Sequence, residues 1–280
     1  MKVIKTIDSL RRDLQLRKAD GHSVGFVPTM GALHEGHLSL IHQARDNHEV
    51  VVVSVFVNPL QFGEGEDFES YPRDIERDQQ LCEEAGVDIL FYPSVEEMYP
   101  REASVEIRVV QGVDVLCGES RPGHFDGVVT VVLKLLHMVE PNAAYFGQKD
   151  AQQVAVIKQM VQTLSMSVQI IACPTVREED GLAKSSRNVN LNTRERELAP
   201  ALYSTLIKAG ELAKSGSSRT ELMEYVAKNL DQLELGTIDY VDVLTYPELV
   251  ASEQLSGTVI IAVAYQFSRA RLIDHILVEL

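Results

Sequence analysis

The eight residues Val50-Val51-Val52-Val53-Ser54-Val55-Phe56-Val57 constrain this chain more than any other segment. A run so dense in β-branched side chains, with no polar alternation, predicts a strand buried on both faces of a parallel sheet. It is the longest apolar stretch in the sequence and far too short to cross a bilayer. The flanking sequence supplies the crossovers that parallel strands require. Ile7, Leu10 and Leu14 mark an amphipathic helix over 6–18 that stops near Gly21, and 24–27 is a short apolar strand ending at Pro28. A loop and a helix over 36–46 then lead into the run at 50–57.

The alternation continues. Helices are expected over 74–85, 127–139 and 150–164, and strands over 87–92, 143–146 and 168–172. This is the pattern of an α/β fold, a Rossmann-like doubly wound parallel sheet whose ligands bind outside the carboxyl ends of the strands. After Pro174 the texture changes. A polar loop over 177–192 precedes two helices, the first N-capped by Asn192 with Glu195, the second by Ser218 with Glu221. Three strands over 238–244, 258–265 and 272–278 complete a smaller C-terminal α+β domain, the last pair antiparallel. The expected domains are 1–175 and 176–280.

Charge and cysteine usage narrow the function. The 26 basic and 41 acidic side chains leave a net charge of −15, which argues against non-specific binding of nucleic acid. A phosphate-bearing ligand would need local cations and backbone donors. Cys82, Cys117 and Cys173 form no CxxC pair, and residues 1–16 carry charges where a signal peptide has its apolar core. The expectation is a cytoplasmic protein with no membrane partner.

The loop Pro28-Thr29-Met30-Gly31-Ala32-Leu33-His34-Glu35-Gly36-His37 joins a strand to a helix. Two imidazoles three residues apart, beside the unpaired N–H groups of a helix N-terminus, suit negative charge developing on phosphorus. Gly31 and Gly36 let backbone approach a ligand. The spacing is not that of HExxH, and no cysteine or acidic cluster completes a metal site. Taken alone, the loop fits a phosphate site and a solvated loop with incidental histidines about equally.

Further strings sit at strand ends. Asn58-Pro59-Leu60-Gln61-Phe62 follows the buried run, and Gln61 can both donate to and accept from a hydroxy acid. Phe146-Gly147-Gln148-Lys149-Asp150-Ala151-Gln152-Gln153 follows a short strand and opens a helix. Lys184-Ser185-Ser186-Arg187, within the string from Val176 to Asn188, puts two cations and two hydroxyls into four positions, which suits a phosphate chain. Each also has a plain structural reading as a turn, a cap or a charged surface loop.

The strand–His34-x-Gly36-His37–helix arrangement is that of the nucleotidyltransferase superfamily, and the longer string from Pro28 to His37 resembles the signature of the pantothenate synthetase family. The strings around Gln61, 66–68, 71–73, 121–128, 146–153 and 180–188 also match that family. Matches are dense over 22–190 and weaker beyond. The resemblance implies that (R)-pantoate attacks the α-phosphorus of ATP, giving pantoyl adenylate and pyrophosphate, and that β-alanine then displaces AMP. It implies ATP contacts from Met30, Gly31, Ala32, Leu33, His34, Glu35, Gly36 and His37. It implies others from Gly147, Gln148, Lys149 and Asp150, and from Val176, Lys184, Ser185, Ser186 and Arg187. Pantoate contacts fall to Gln61 and Gln153. His37 maps to a proton donor, although adenylation needs charge stabilisation more than a proton, and His34 is its catalytic companion. Mg²⁺ is implied with the ATP. Its protein ligands are not evident, Asp78 being the one carboxylate considered. A homodimer is implied. The 178–187 loop carries two cations, lies between the expected domains and shows no apolar anchors, so closure of the smaller domain or of that loop over bound nucleotide is expected. The alternatives are a nucleotidyltransferase acting on a phosphorylated small molecule and a non-catalytic relic of a tRNA synthetase.

Overall fold

The computed structural model describes residues 1–63, 65–66 and 68–280. Asp67, part of the 66–68 match, lies outside the described residues. Nine strands are formed among them: β1 (Lys2–Ile4), β2 (Val24–Thr29), β3 (Val50–Val55), β4 (Ile89–Phe91), β5 (Ala143–Gly147), β6 (Gln169–Cys173), β7 (Thr237–Thr245), β8 (Thr258–Gln266) and β9 (Arg271–Glu279). The helices are α1 (Ile7–Ala19), α2 (Glu35–Asn47), α3 (Ile75–Glu84), α4 (Val95–Met98), α5 (Leu116–Ser120), α6 (His124–Val139), α7 (Ala151–Thr163), α8 (Thr193–Leu198), α9 (Ala201–Lys214) and α10 (Arg219–Leu230). The chain divides into two compact units. One comprises Met1–Val109, Arg121–Gln148 and Val156–Pro174, the other Val110–Ser120, Lys149–Ala155 and Thr175–Leu280.

The first unit is built on a six-stranded sheet in the order β1-β4-β3-β2-β5-β6, every neighbouring pair parallel. All six residues of β3 are buried. Val51, Val53 and Val55 pack on one face with Leu40, Ile41 and Ala44 of α2 and Cys82 of α3. Val50, Val52 and Ser54 alternate onto the opposite face and are also buried. That double burial is why the strand reads as one unbroken apolar run. Chain order runs outward from β2 through β3 on one side and through β5 on the other. The topology therefore reverses between β2 and β5, and the crevice at their carboxyl ends is the expected ligand position.

The second unit carries the antiparallel sheet β7-β8-β9. Its central strand, β8, is buried on both faces. Val259, Ile261, Val263 and Tyr265 pack with α9 and α10 through Leu206, Ala209, Leu222 and Val226. Ile260 and Ala262 pack with Leu116, Ala151 and Ala155. A division at 175/176 would leave that second face uncovered. Segments 110–120 and 149–155, early in the chain, supply its cover. The first helix expected after Pro174 is also split into α8 and α9, because Pro200 has no N–H to continue the ladder. Both capping boxes form, at Asn192–Glu195 and Ser218–Glu221. Among the described residues no helix is long and apolar enough to cross a membrane.

Candidate active site

In the first unit, the carboxyl end of β2 opens into the loop 30–34. Gly31 and Ala32 both have positive φ, at 83° and 51°. Alanine is held in that uncommon conformation by Asp78 of α3, whose Oδ2 accepts from the Ala32 N–H at 2.9 Å while Oδ1 accepts from Leu33 at 2.7 Å. Asp78 is 1% exposed, and burial pushes its carboxyl pKa up despite those two bonds. A Cβ on Gly31 would lie 2.8 Å from Asp78 Oδ2. With each oxygen bonded to a loop N–H, Asp78 braces the backbone of the loop.

His34 is the N-cap of α2, and its Nδ1 accepts from the Gly36 N–H at 3.1 Å. His37 Nδ1 accepts from the His34 N–H at 3.3 Å, which closes a capping box with imidazoles in place of the usual hydroxyl and carboxylate. The two rings lie 4.2 Å apart between centroids. With each Nδ1 accepting, each neutral ring carries its proton on Nε2. The donors at the helix start are thus the two ring Nε2–H groups, while the N–H groups of His34, Gly36 and His37 are engaged within the cap. Gly36 leaves room for the capping ring: a Cβ there would meet His34 Cε1 at 2.7 Å and Nδ1 at 2.9 Å, and the ring would have to leave its cap position.

Gln61 lies in a 3-10 turn, Pro59–Gln61, and is 7% exposed. Asn58 caps that turn and donates to Gln61 Oε1 at 3.2 Å and to the Gly127 carbonyl at 3.0 Å. Tyr99 donates to Asn58 Oδ1 at 2.9 Å, and Gln61 Nε2 donates to Met30 Sδ at 2.9 Å. The Gln61 amide is thus oriented, oxygen towards Asn58 and nitrogen towards the 30–37 loop. Gly147 and Gln148, at the carboxyl end of β5 next to β2, are half-buried. A Cβ on Gly147 would meet no described atom within 4 Å, so its backbone borders open space.

The second unit holds the remaining candidates. Lys149 lies 3.9 Å from Asp150, and Gln153 is half-buried in the first turn of α7. Its neighbour Gln152 is structural, donating to the carbonyls of Gly112 and Val115 at 2.9 and 2.7 Å. The string from Val176 to Lys184 folds back on itself, with Arg177 and Ala183 bridged and the Lys184 N–H bonded to the Val176 carbonyl at 2.9 Å. Lys184 pairs with Glu178 at 3.3 Å, and Ser185 Oγ accepts from the Arg187 N–H, starting the turn Ser186–Asn190. The expectation that this loop lacks apolar anchors is incorrect. Leu182 and Ala183 are buried at 4% and 5% exposure, and Leu182 belongs to the unit's core. Arg177 forks onto both oxygens of Asp274 at 2.7 and 2.8 Å and lies 3.5 Å over the Tyr203 ring. The loop is thus fastened to its unit through Arg177, Leu182 and Ala183.

His275, next to Asp274, is buried, and its pKa is pushed down to about 4 by desolvation, opposed by Asp274 and Asp150 and reinforced by Arg177 and Lys149. The folded ring stays neutral where the unfolded ring, near pH 6.5, takes up a proton. Stability is therefore lost as pH falls from 6.5 towards 4. Between pH 7.5 and 5 this one group should cost about 2 kcal/mol. Urea unfolding followed by circular dichroism at both pH values should show the pH penalty shrinking by that amount in His275→Gln. An unchanged penalty would mean that the ring is not held neutral.

Local spacing marks neither Asn58 nor Tyr99 as a site residue, and marks Asp78 only as a candidate ligand. A signal for Asp78 does exist: it lies one turn before Cys82, an acid on the buried stripe of α3. Among the described residues no group of three His, Cys, Asp or Glu side chains could hold a metal ion.

A family model described as pantoate-beta-alanine ligase matches residues 2–277. The chain is 60% identical over 279 residues to the pantothenate synthetase of Halalkalibacterium halodurans, with 99% of each chain covered. It superposes on the crystal structure of pantothenate synthetase from Thermus thermophilus with a TM-score of 0.92 at 45% identity, covering 99% of both chains. It also superposes on pantoate-beta-alanine ligase from Francisella tularensis, complexed with beta-gamma ATP and beta-alanine, with a TM-score of 0.80 at 36% identity, covering 99% of this chain and 97% of that one. A matching family model over nearly the whole length, and relatives equally long, leave one conclusion: the chain belongs to the pantoate–β-alanine ligase family.

Proposed function

We propose that this protein joins pantoate to β-alanine at the expense of ATP, through pantoyl adenylate, with release of pyrophosphate and then AMP. The observation that carries the reading is the pair of Nδ1-anchored imidazoles, His34 and His37, at the helix start beside the topological switch point. A carboxylate and a triphosphate repel each other, so adenylation needs positive potential and in-line alignment. Residues 30–37, through the close backbone approach that Gly31 and Gly36 allow and the two Nε2–H donors, together with the backbone of Gly147 and Gln148, are proposed to take the nucleotide. Lys149, Asp150, Val176 and the 184–187 turn are proposed to take its remaining contacts, with Lys149, Lys184 and Arg187 as the cations. Gln61 and Gln153 are proposed to hold pantoate. The neutral tautomer of His37 makes it a hydrogen-bond donor to the α-phosphoryl oxygen, which stabilises charge without transferring the proton.

Magnesium enters this reading as part of the substrate, MgATP, held by phosphate oxygens and water. The described carboxylates build no cage for it, and no step is assigned to a protein-bound ion. Cytoplasmic location and a homodimer belong to the same reading and rest on the family. Closure over the nucleotide, if the second unit provides it, carries the pinned 177–187 segment along as a body.

The test measures pyrophosphate release from ATP with pantoate alone, then AMP release when β-alanine is added. Both should occur, and in that order. Pyrophosphate release that instead demands a phosphorylated alcohol would identify a nucleotidyltransferase, and no AMP with any acid would remove the ligase reading.

A further inference from the structure

The string from Arg121 to Val128 has no role in the chemistry above, yet two of its side chains converge on the backbone of one residue. His124 Nδ1 donates to the Gln61 carbonyl at 2.7 Å, and Arg121 Nη2 donates to the same oxygen at 3.3 Å. Arg121 Nη1 faces His124 Nε2 at 3.1 Å. Guanidinium can only donate, so Nε2 accepts. A ring that donates from Nδ1 and accepts at Nε2 is neutral, with its tautomer fixed. Behind it, Arg121 forks onto Glu66 through Nε at 2.7 Å and Nη2 at 2.6 Å. Those bonds hold the Glu66 carboxyl below its usual range, hence ionised. The chain of bonds runs carboxylate, guanidinium, imidazole, carbonyl, and ends on the turn that carries the Gln61 amide.

We propose that Arg121 and His124, braced by Glu66, are positioning residues for the acid substrate: they clamp the Gln61 carbonyl and so hold its side-chain amide where it binds pantoate. The proposal rests on the reading of Gln61 as a pantoate contact. The turn 59–61 is only three residues long and has no ladder partner of its own. Its carbonyl is the natural handle, because fixing that peptide plane fixes the direction in which the Gln61 side chain leaves the turn. Two donors on one carbonyl, one of them charged, are stronger than a neutral bond. The clamp's bonds end on the turn that carries Gln61, so its loss should act on pantoate before ATP.

Steady-state kinetics of the full chain, with each substrate varied in turn, test this. His124→Ala should raise the pantoate KM about tenfold while the ATP KM changes by less than about twofold. In His124→Asn, Nδ2 occupies the place of ring Nδ1 and still donates to the carbonyl, so the pantoate KM should return to within about threefold of wild type. Gln61→Ala is the reference, and adding it to His124→Ala should cost much less than adding it to wild type. A raised KM in Gln61→Ala with an unchanged one in His124→Ala overturns the clamp and leaves the Gln61 assignment standing. An unchanged pantoate KM in Gln61→Ala removes that assignment and the clamp's purpose with it. If His124→Ala raises all substrate KM values together, or His124→Asn recovers nothing, the residues hold the fold and not the substrate.

Discussion

His37→Ala should slow ATP- and pantoate-dependent pyrophosphate release by on the order of a hundredfold or more, the loss typical of removing one preorganised donor from a developing oxyanion. The same change also removes half of a capping box, because His37 Nδ1 accepts from the His34 N–H. Loss of a cap costs about 1 kcal/mol of stability. That is small against the stability of a folded domain and does not touch the rate constant of molecules that remain folded. The two effects separate in His37→Asn. Its side-chain oxygen stands near the position of Nδ1 and keeps the cap, but nothing reaches where Nε2–H was. The asparagine variant should therefore melt close to wild type and still lose the rate. Single-turnover quench experiments measure the rate, and a thermal melt of the same samples measures the cap. If His37→Asn releases pyrophosphate at the wild-type rate, the imidazole's role ends at capping the helix.

What was legible in the sequence follows from how locally each feature is determined. The strand at 50–55 declares itself because both its faces are buried, so no polar residue interrupts it. Gly36 and the two histidines are readable because their bonds close within three residues. Capping boxes at 192 and 218 are readable for the same reason. β1 was not anticipated: it is three residues long, and two of them are exposed at the edge of the sheet. Segments 110–120 and 149–155 lie far from 237 in the chain, yet they cover a sheet whose strands begin there. No local pattern encodes that pairing. The brace from Asp78 to the 30–34 loop spans more than forty residues, and the clamp from Arg121 and His124 to Gln61 spans about sixty. Spacing shows that such residues are present. Which carbonyl or N–H they reach is decided only by the tertiary fold.

Gly127 carries the second large expected effect. It is not explained by backbone freedom, since it sits inside α6 with ordinary helical geometry. The constraint is proximity: a Cβ here would lie 2.7 Å from Gln61 Cα, and the Leu60 carbonyl is nearer still. Gly36 meets a comparable obstruction, but there the obstacle is the far end of the His34 ring, which can swing away. At Gly127 the obstacle is main chain, and that main chain is tied down by Asn58, which bonds the Gly127 carbonyl, and by the donors on the Gln61 carbonyl. Neither side can yield without breaking those bonds. Gly127→Ala would raise helix propensity by a little under 1 kcal/mol in an open helix. Here overpacking outweighs that gain, and a net loss of about 3 kcal/mol is expected. The 59–61 turn should be pushed off α6, carrying the Gln61 amide with it. Chemical unfolding should show the destabilisation, and the protein that remains folded should need far more pantoate but little more ATP. A stable Gly127→Ala protein with wild-type pantoate KM would mean that the turn has slack, and that its seat on α6 does not set the position of Gln61.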